Sequence, residues 1–240
     1  DSQEDMTSQA ALEAFKASLI DFLPNKTTTI IADLMVHRLG LQNELNALIA
    51  DTEVPYTTLS WGKTLLDEQD ERWAGTYAGD ASRPVVKDAV ENCECLIKIG
   101  VQFTDTTTAG FSQDIDDEVV VDLHYERASI GGQNFAPIAL KDSLQALHDV
   151  MTSGIEITPK PLSAEVHAFE QQGSDDEAIR QDDLWHIVAQ HLQSGNVVFA
   201  DQGTSYFGIS EVRLPEGVNF VFPPQLRVEV ITPPPQRSSR

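Results

Sequence analysis

The stretch TTTIIADLMVHRLGLQNELNALIADTEVPYTTLS, residues 27–60, decides the fold of this chain. It opens with a β-branched run, residues 27–33, that predicts a buried strand. A helical apolar pattern over about 36–50 follows, and residues 54–60 form a second strand-like run. Strand, helix and strand in this order, with strands that are apolar nearly throughout, are typical of a parallel sheet with helices on both faces.

The sequence on either side of this unit continues the alternation of helices and strands. We predict helices over 7–23, 84–93 and about 140–151, and strands over 95–100 and 118–123. Residues 75–82 carry two glycines and are predicted as a loop. We therefore assign residues 1–152 to a doubly wound, mainly parallel α/β domain.

The chain is strongly acidic. Its 240 residues include 16 Lys+Arg against 38 Asp+Glu, for a formal net charge of −22, and 41% of the residues are hydrophobic. The hydrophobic share is that of a globular protein, and so negative a surface repels nucleic-acid phosphate and anionic lipid. We expect no nucleic-acid partner. We also expect no membrane association, because no apolar run approaches the ~20 residues of a bilayer span.

Two cysteines, Cys93 and Cys95, are too few for a disulfide framework. Their C-x-C spacing lacks the second pair that a structural zinc site needs. We interpret both as small apolar residues and expect a reducing, cytoplasmic compartment.

The sequence after the first domain changes character. Prolines and an acidic run interrupt any period over 153–179, which predicts a linker. The pattern then resumes with a predicted helix at about 180–193 and predicted strands at 196–201 and 218–222. These elements predict the truncated start of a second α/β unit over 180–222. Residues 223–240 form a tail rich in Pro and Arg, and we predict no element there that could complete a sheet.

Motifs with a catalytic or metal-binding mechanism do not occur in the chain. It lacks the G-x-S-x-G nucleophile elbow, the G-x-x-x-x-G-K-[ST] phosphate loop and the G-x-G-x-x-G dinucleotide fingerprint. Its six histidines form no metal-binding spacing. We therefore predict no catalytic residue and no metal ligand.

The segment DQGTSYFG, residues 201–208, joins a predicted strand to a predicted helix. Backbone N–H groups at a helix start, together with the hydroxyls of Thr204 and Ser205, can converge on an anion. The same hydroxyls can instead cap the helix, and the local pattern by itself favours capping.

Several segments stand in a recognisable order along the chain. They are WGKTLLDE (61–68), GTYAGDAS (75–82), VKDAVE (86–91), IGVQFTDTTTAGF (99–111), VVFADQGTSYFG (197–208) and RLPEGVNFV (213–221). In this order they resemble thiamine-diphosphate-dependent 2-keto-acid decarboxylases, in particular the indolepyruvate, phenylpyruvate and pyruvate decarboxylase group. The similarity runs from about residue 7 to residue 222.

The resemblance implies an enzyme of three α/β domains, with thiamine diphosphate and Mg²⁺ as cofactors and a 2-keto acid as substrate. Residues 1–152 would match the central domain, and residues 180–222 the opening of the C-terminal, diphosphate-binding domain. By the same resemblance Thr204 contacts the cofactor diphosphate, Gly203 allows close backbone approach, and Gln202 faces the substrate.

The chain also departs from the family pattern. The pyrimidine-binding domain and the G-D-G…N motif that holds Mg²⁺ and the diphosphate have no counterpart in it, and the pattern stops after Val221. We expect a fragment of a truncated gene with a frameshifted or foreign tail, which does not bind the cofactors tightly and is inactive by itself. The parent reaction would release CO₂ non-oxidatively and leave an aldehyde.

A different class of function is a non-catalytic α/β module that serves as a scaffold or interaction surface. The family's central domain contributes to subunit packing, which points to a homo-oligomer. An exposed apolar patch of more than a few hundred Å² would favour this alternative.

Overall fold

The computed structural model of the chain describes residues 6–167, 179–221 and 229–231. These residues fall into two compact units. Unit 1 consists of Asp1–Leu66 and Glu71–His167, and unit 2 of Asp67–Asp70 and Ala168–Arg240. Each unit has a sheet of its own.

Unit 1 is built around a mainly parallel sheet. Its strands are β1 Thr27–Ala32, β2 Tyr56–Leu59, β3 Trp73–Tyr77, β4 Cys95–Ile99, β5 Val120–Leu123, β6 Ala128–Ile130, β7 Gln133–Phe135 and β8 Thr158–Pro159. The strand order is β3-β2-β1-β4-β5-β6-β7, and β8 also pairs with β1. The pairs among β1 to β5 are parallel, whereas β6 and β7 continue the sheet in antiparallel fashion. In the centre, Ile30 of β1 aligns with Tyr56 of β2 and with Ile97 of β4.

Helices cover both faces of this sheet. They are α1 Gln9–Phe22, α2 Leu34–Arg38, α3 Gln42–Ala50, α4 Pro84–Glu91 and α5 Leu140–Met151. One apolar core contains Phe15 of α1, Leu45 of α3 and Leu144 of α5. The other contains Val86 and Val90 of α4. The predicted doubly wound α/β class is confirmed.

The predicted helix over about 36–50 is in fact two helices. α2 ends at Arg38, Gly40 has a φ of 68°, and α3 begins at Gln42. Glycine adopts a positive φ without steric cost, so the chain turns there and starts again. The apolar spacing continues across the turn, and for that reason the pattern predicted one helix.

The strand β3 is the main element that the sequence prediction missed. The loop predicted over 75–82 is wrong in its first part, because Trp73–Tyr77 is a buried parallel strand. Gly75 has a φ of 129°, and a Cβ there would stand 2.6 Å from the Val86 Cγ2 atom of α4. The glycine therefore serves close packing between strand and helix.

The hairpin of β6 and β7 was also not predicted. Its turn consists of Gly131 and Gly132, with φ values of 54° and 79°. Two consecutive positive φ angles are typical of the type I′ turns that join short antiparallel strands.

Residues 153–167 were assigned to a linker and belong to unit 1 in the structure. Within them, β8 pairs in parallel with β1. The Lys160 N–H donates a hydrogen bond to the Thr28 carbonyl over 3.0 Å, and the Lys160 ammonium pairs with Asp88 of α4 at 3.3 Å. Residues 168–178 of the predicted linker lie outside the described residues.

Unit 2 has a small sheet and two helices. Its elements are α6 Gln181–Gln190, β9 Val197–Phe199, α7 Thr204–Glu211, β10 Asn219–Val221 and β11 Glu229–Ile231. β9 lies in the middle, parallel to β10 and antiparallel to β11. The predicted helix and the two predicted strands are confirmed. The prediction of no element in 223–240 that could complete a sheet is corrected by the short β11, which lies between the prolines and pairs with β9.

Residues 222–228 and 232–240 of the tail lie outside the described residues. Over the described ranges, no helix combines the length and the apolar character that crossing a bilayer requires.

Candidate functional site

The carboxyl ends of the unit 1 strands are a natural place for a ligand, because open α/β sheets bind ligands where the strand order reverses. In unit 1 this reversal lies between β1 and β4. A Cβ on Gly62, after β2, would stand 2.9 Å from the Asp33 Cα atom. A Cβ on Gly100, after β4, would stand 3.0 Å from the Met35 Cβ atom. The glycines at this point therefore serve close chain packing.

Asp33 follows β1 at the same point and was not singled out by the sequence analysis. Its side chain is buried, with 1% of the residue exposed. Its Oδ1 atom has no hydrogen-bond partner among the described residues. Burial raises the pKa of Asp33 to about 7, although neighbouring backbone N–H groups and the charge of Arg38 act in the opposite direction. The sequence signal for Asp33 was its position directly after a buried strand.

A polar network lies on the α4 side of unit 1. The Tyr77 hydroxyl donates a hydrogen bond to Glu91 Oε1 over 2.6 Å. Lys87 pairs with Glu91 at 3.6 Å and also with Asp80. Burial, followed by the hydrogen bond to Glu91, raises the pKa of Tyr77, so its hydroxyl remains a donor at neutral pH. The network links β3 to α4 and gives Asp80 a lysine partner.

Both cysteines are buried and carry free thiols. Burial raises the pKa of Cys93 to about 11 and that of Cys95 to about 12. A thiol in this state is neither ionised nor accessible, so it does not act as a nucleophile. The packing role inferred from the sequence agrees with this environment.

The predicted anion segment forms the turn from β9 to α7 in unit 2. The Gln202 N–H donates to the Asp201 carboxylate over 2.9 Å. The Ser205 hydroxyl donates to the Asp201 carbonyl over 3.2 Å. Asp201 thus holds the turn at two points. The residues that the resemblance assigned to the cofactor and the substrate follow Asp201 directly: Gln202, Gly203 and Thr204.

Gly203 sets the backbone shape of this turn. It is the N-cap of α7, with φ 144° and ψ −156°, a region that essentially only glycine occupies. A Cβ at this position would meet no atom within 4 Å. Glycine is therefore required here by its backbone angles and not by lack of space.

The hydroxyls of the segment do not cap α7. The N-cap makes no side-chain hydrogen bond, because it is Gly203, and Thr204 is already the first residue of the helix. The Ser205 hydroxyl bonds backwards to a carbonyl. The first N–H groups of a helix have no partner within it, so those of Thr204 and Ser205 can donate to an external acceptor. Gln202 and Thr204 are exposed, and Gly203 is half-buried.

This donor set suits a phosphate or diphosphate group. It combines backbone N–H groups, the Thr204 hydroxyl and the positive end of the α7 dipole. Among the described residues, a metal ion has no comparable set of ligands. In the part of the chain that the structure describes, no group of three or more His, Cys, Asp or Glu side chains could hold one.

Packing within unit 2 supports α7 from two sides. Gly208 lies against the indole of Trp185 in α6, and a Cβ on Gly208 would overlap that ring. The Trp185 Nε1 atom donates to Gln181 Oε1 over 3.1 Å, which holds the indole in place. On another side, the rings of Tyr206 and Phe220 are stacked with centroids 6.2 Å apart.

Comparison with known proteins finds one matching family and several similar proteins. Residues 21–149 match the family described as thiamine pyrophosphate enzyme, central domain. The alpha-keto-acid decarboxylase of Mycobacterium tuberculosis (strain ATCC 25618 / H37Rv) is 39% identical over 218 residues, covering 91% of this chain and 39% of that protein. The protein of the same name from Mycobacterium ulcerans (strain Agy99) is 38% identical over 218 residues, covering 91% of this chain and 38% of its own length. The chain thus spans about two fifths of the length of these curated relatives.

Proposed function

Since the chain belongs to the thiamine pyrophosphate enzymes, we propose that it is part of an enzyme that decarboxylates a 2-keto acid and releases an aldehyde. The family resemblance drawn from the motifs is confirmed, because residues 21–149 match the central domain of these enzymes. One observation above all supports the reaction. The similarity to proteins named alpha-keto-acid decarboxylase covers 218 residues and so extends well beyond that domain.

In this proposal the turn from β9 to α7 holds the diphosphate of the cofactor. The N–H groups at the start of α7 and the Thr204 hydroxyl would donate to its oxygens, and the helix dipole would add to the attraction. Gly203 gives the backbone the angles that the turn needs, and the exposed Gln202 would face the 2-keto acid. When bound, thiamine diphosphate supplies the electron sink for the decarboxylation.

We retain Mg²⁺ as the second cofactor of the parent reaction, because a divalent ion is the usual partner of a bound diphosphate. We propose no ligand for it among the described residues, which offer no suitable cluster. We therefore propose that this chain by itself holds the cofactor weakly and releases CO₂ at a negligible rate.

Unit 1 has a supporting role in this proposal. Gly62 and Gly100 bring backbone segments together at the strand ends, where related sheets hold ligands. This packing favours a scaffold role for unit 1, which is also the role that the non-catalytic alternative gives it.

We also propose a homo-oligomer that packs through unit 1, to be tested by sedimentation velocity. We further propose a cytoplasmic location, which the two free thiols favour.

The proposed diphosphate contact can be tested by NMR on the intact chain. Amide signals of a ¹⁵N-labelled sample would be followed while thiamine diphosphate, inorganic diphosphate or thiamine is added in the presence of Mg²⁺. We expect both diphosphate compounds to shift the signals of Gly203, Thr204 and Ser205, and thiamine to leave them unchanged.

Two variants separate the Thr204 hydroxyl from the rest of the side chain. Thr204→Val removes the donor and keeps the shape, so the diphosphate-dependent shifts should weaken. Thr204→Ser keeps the donor and should behave like the parent chain. Shifts located elsewhere, or equal shifts in the Val variant, would contradict the assignment.

A further inference from the structure

A short acidic segment, Asp67–Asp70, belongs to unit 2 and is hydrogen-bonded to the residues just after α7. The Leu214 N–H donates to the Glu68 carboxylate over 2.9 Å, and the Leu214 carbonyl accepts from Gln69 Nε2 over 2.8 Å. Arg213 Nη1 donates to the carbonyls of Glu68 at 2.8 Å and Asp70 at 3.2 Å. We call this set of four hydrogen bonds the clasp.

The clasp has a buried central bond, and its acidic segment is pre-shaped. Glu68 is 2% exposed and Leu214 is 1% exposed, so the bond between them lies in a low-dielectric environment where hydrogen bonds to a charged group are strong. Within the segment, the Gln69 N–H donates to Asp67 Oδ1 over 2.8 Å. This local turn holds the segment in the form that meets residues 213 and 214.

The helix α7 connects the clasp to the proposed diphosphate turn. With 8 residues it is about 12 Å long at 1.5 Å per residue. The turn is at its amino end, and the clasp follows its carboxyl end. Because α7 is short and continuous, we expect a displacement at its carboxyl end to reach its amino end.

We propose that Asp67–Asp70 is a positioning element for the turn at residues 201–205, with Glu68 as the positioning residue acting through α7. This inference rests on the proposed function, in which the turn binds a diphosphate. No residue of the clasp touches the ligand in this arrangement. Its effect is to keep the first turn of α7 where its N–H groups converge.

Amide hydrogen exchange and ligand binding on the intact chain test the proposal. The Leu214 N–H reports on the clasp, and the Phe207 N–H, which donates to the Gly203 carbonyl over 3.1 Å, reports on the first turn of α7. In Glu68→Ala we expect exchange at Leu214 to accelerate at least about tenfold, as for loss of a hydrogen bond to a charged group. Exchange at Phe207 should accelerate as well, and the NMR response to inorganic diphosphate should weaken several-fold.

Matched variants distinguish positioning from charge and from a local role. Glu68→Gln keeps an acceptor for Leu214 and should restore both exchange rates. Glu71→Ala removes an exposed carboxylate next to the segment and should change neither. If Glu68→Ala unfolds unit 2, Gln69→Ala removes a single clasp bond, and it should then give the same pattern at smaller amplitude.

Acceleration at Leu214 with an unchanged Phe207 would overturn the proposal, because the clasp would then be only a local support. If the parent chain binds diphosphate and the Glu68→Ala variant binds it equally well, the proposal is overturned too. If the parent chain shows no response to diphosphate, the proposed function fails. The two exchange rates still decide whether the clasp positions the turn.

Discussion

Replacing Asp33 by Asn should stabilise unit 1 at neutral and alkaline pH and have little effect in acid. The side chain is buried with an unpartnered Oδ1 atom, and burial raises its pKa from 3.8 to about 7. The unfolded chain loses this proton from about pH 4 upwards, whereas the folded chain keeps it until about pH 7. The contribution of the protonated Asp33 carboxyl to the free energy of unfolding is therefore fully present below the unfolded-state pKa of 3.8. It is lost as the pH rises to the folded-state pKa of about 7.

The size of the effect follows from the two pKa values. The difference between 3.8 and about 7, at 1.36 kcal/mol for each pH unit, amounts to about 4 kcal/mol. Relaxation of the loops around Asp33 and water entry reduce this figure, so we expect a gain of about 2–4 kcal/mol for Asp33→Asn at about pH 8. Asparagine has nearly the shape of the protonated acid and does not titrate.

Urea denaturation of the parent chain and the variant, at several values between about pH 4 and about pH 8, measures this difference. The gain for Asp33→Asn should grow with pH and level off above the folded-state pKa. Asp122→Asn is the matched control. Asp122 also has an unpartnered Oδ1 atom, but it pairs with Lys98 at 3.5 Å, so its replacement should destabilise at neutral pH. A gain for Asp33→Asn that is the same at every pH, or a loss at about pH 8, would refute the reasoning.

Three further predictions concern packing. Thr7 supports the start of α5 from a distant part of the chain, because its hydroxyl accepts from the Ala139 N–H over 3.0 Å and donates to the Asp142 carboxylate. Thr7→Val should therefore destabilise unit 1 by about 1 kcal/mol in urea, with Thr7→Ser close to the parent. Gly208→Ala should destabilise unit 2 by about 1–3 kcal/mol, because its methyl group overlaps the Trp185 indole; unchanged amide exchange in α7 would contradict this. Both buried thiols should resist Ellman's reagent at about pH 8 until the chain is unfolded, and rapid labelling of the folded chain would contradict their burial.

Most elements of the parallel sheet could be predicted because their residue patterns are local. The β-branched run of β1 and the apolar run of β4 carry their own signal, and both strands lie where that signal placed them. β3 could not be predicted in the same way. From its local sequence, Gly75 is predicted to be a turn residue. Its role in the strand depends on Val86 of α4, which lies against it, and a local pattern does not show that contact.

The candidate site was located by the sequence, but its chemistry was not decided there. The motif around Gln202, Gly203 and Thr204 marked the place, and the local pattern favoured capping over anion binding. The choice depends on where the Ser205 hydroxyl points. In the structure it bonds to the Asp201 carbonyl, so the first N–H groups of α7 are left without a capping side chain.

The sequence by itself determined the family, the α/β class and the position of the turn from β9 to α7, because linear motifs and hydrophobic periodicity are properties of neighbouring residues. Only the tertiary structure brought Glu68 to Leu214, 146 positions further along the chain. Only the tertiary structure, likewise, buried Asp33 and raised its pKa. Both results depend on which distant segments meet, since desolvation and hydrogen-bond pairing are set by the surroundings of a group and not by its neighbours in sequence.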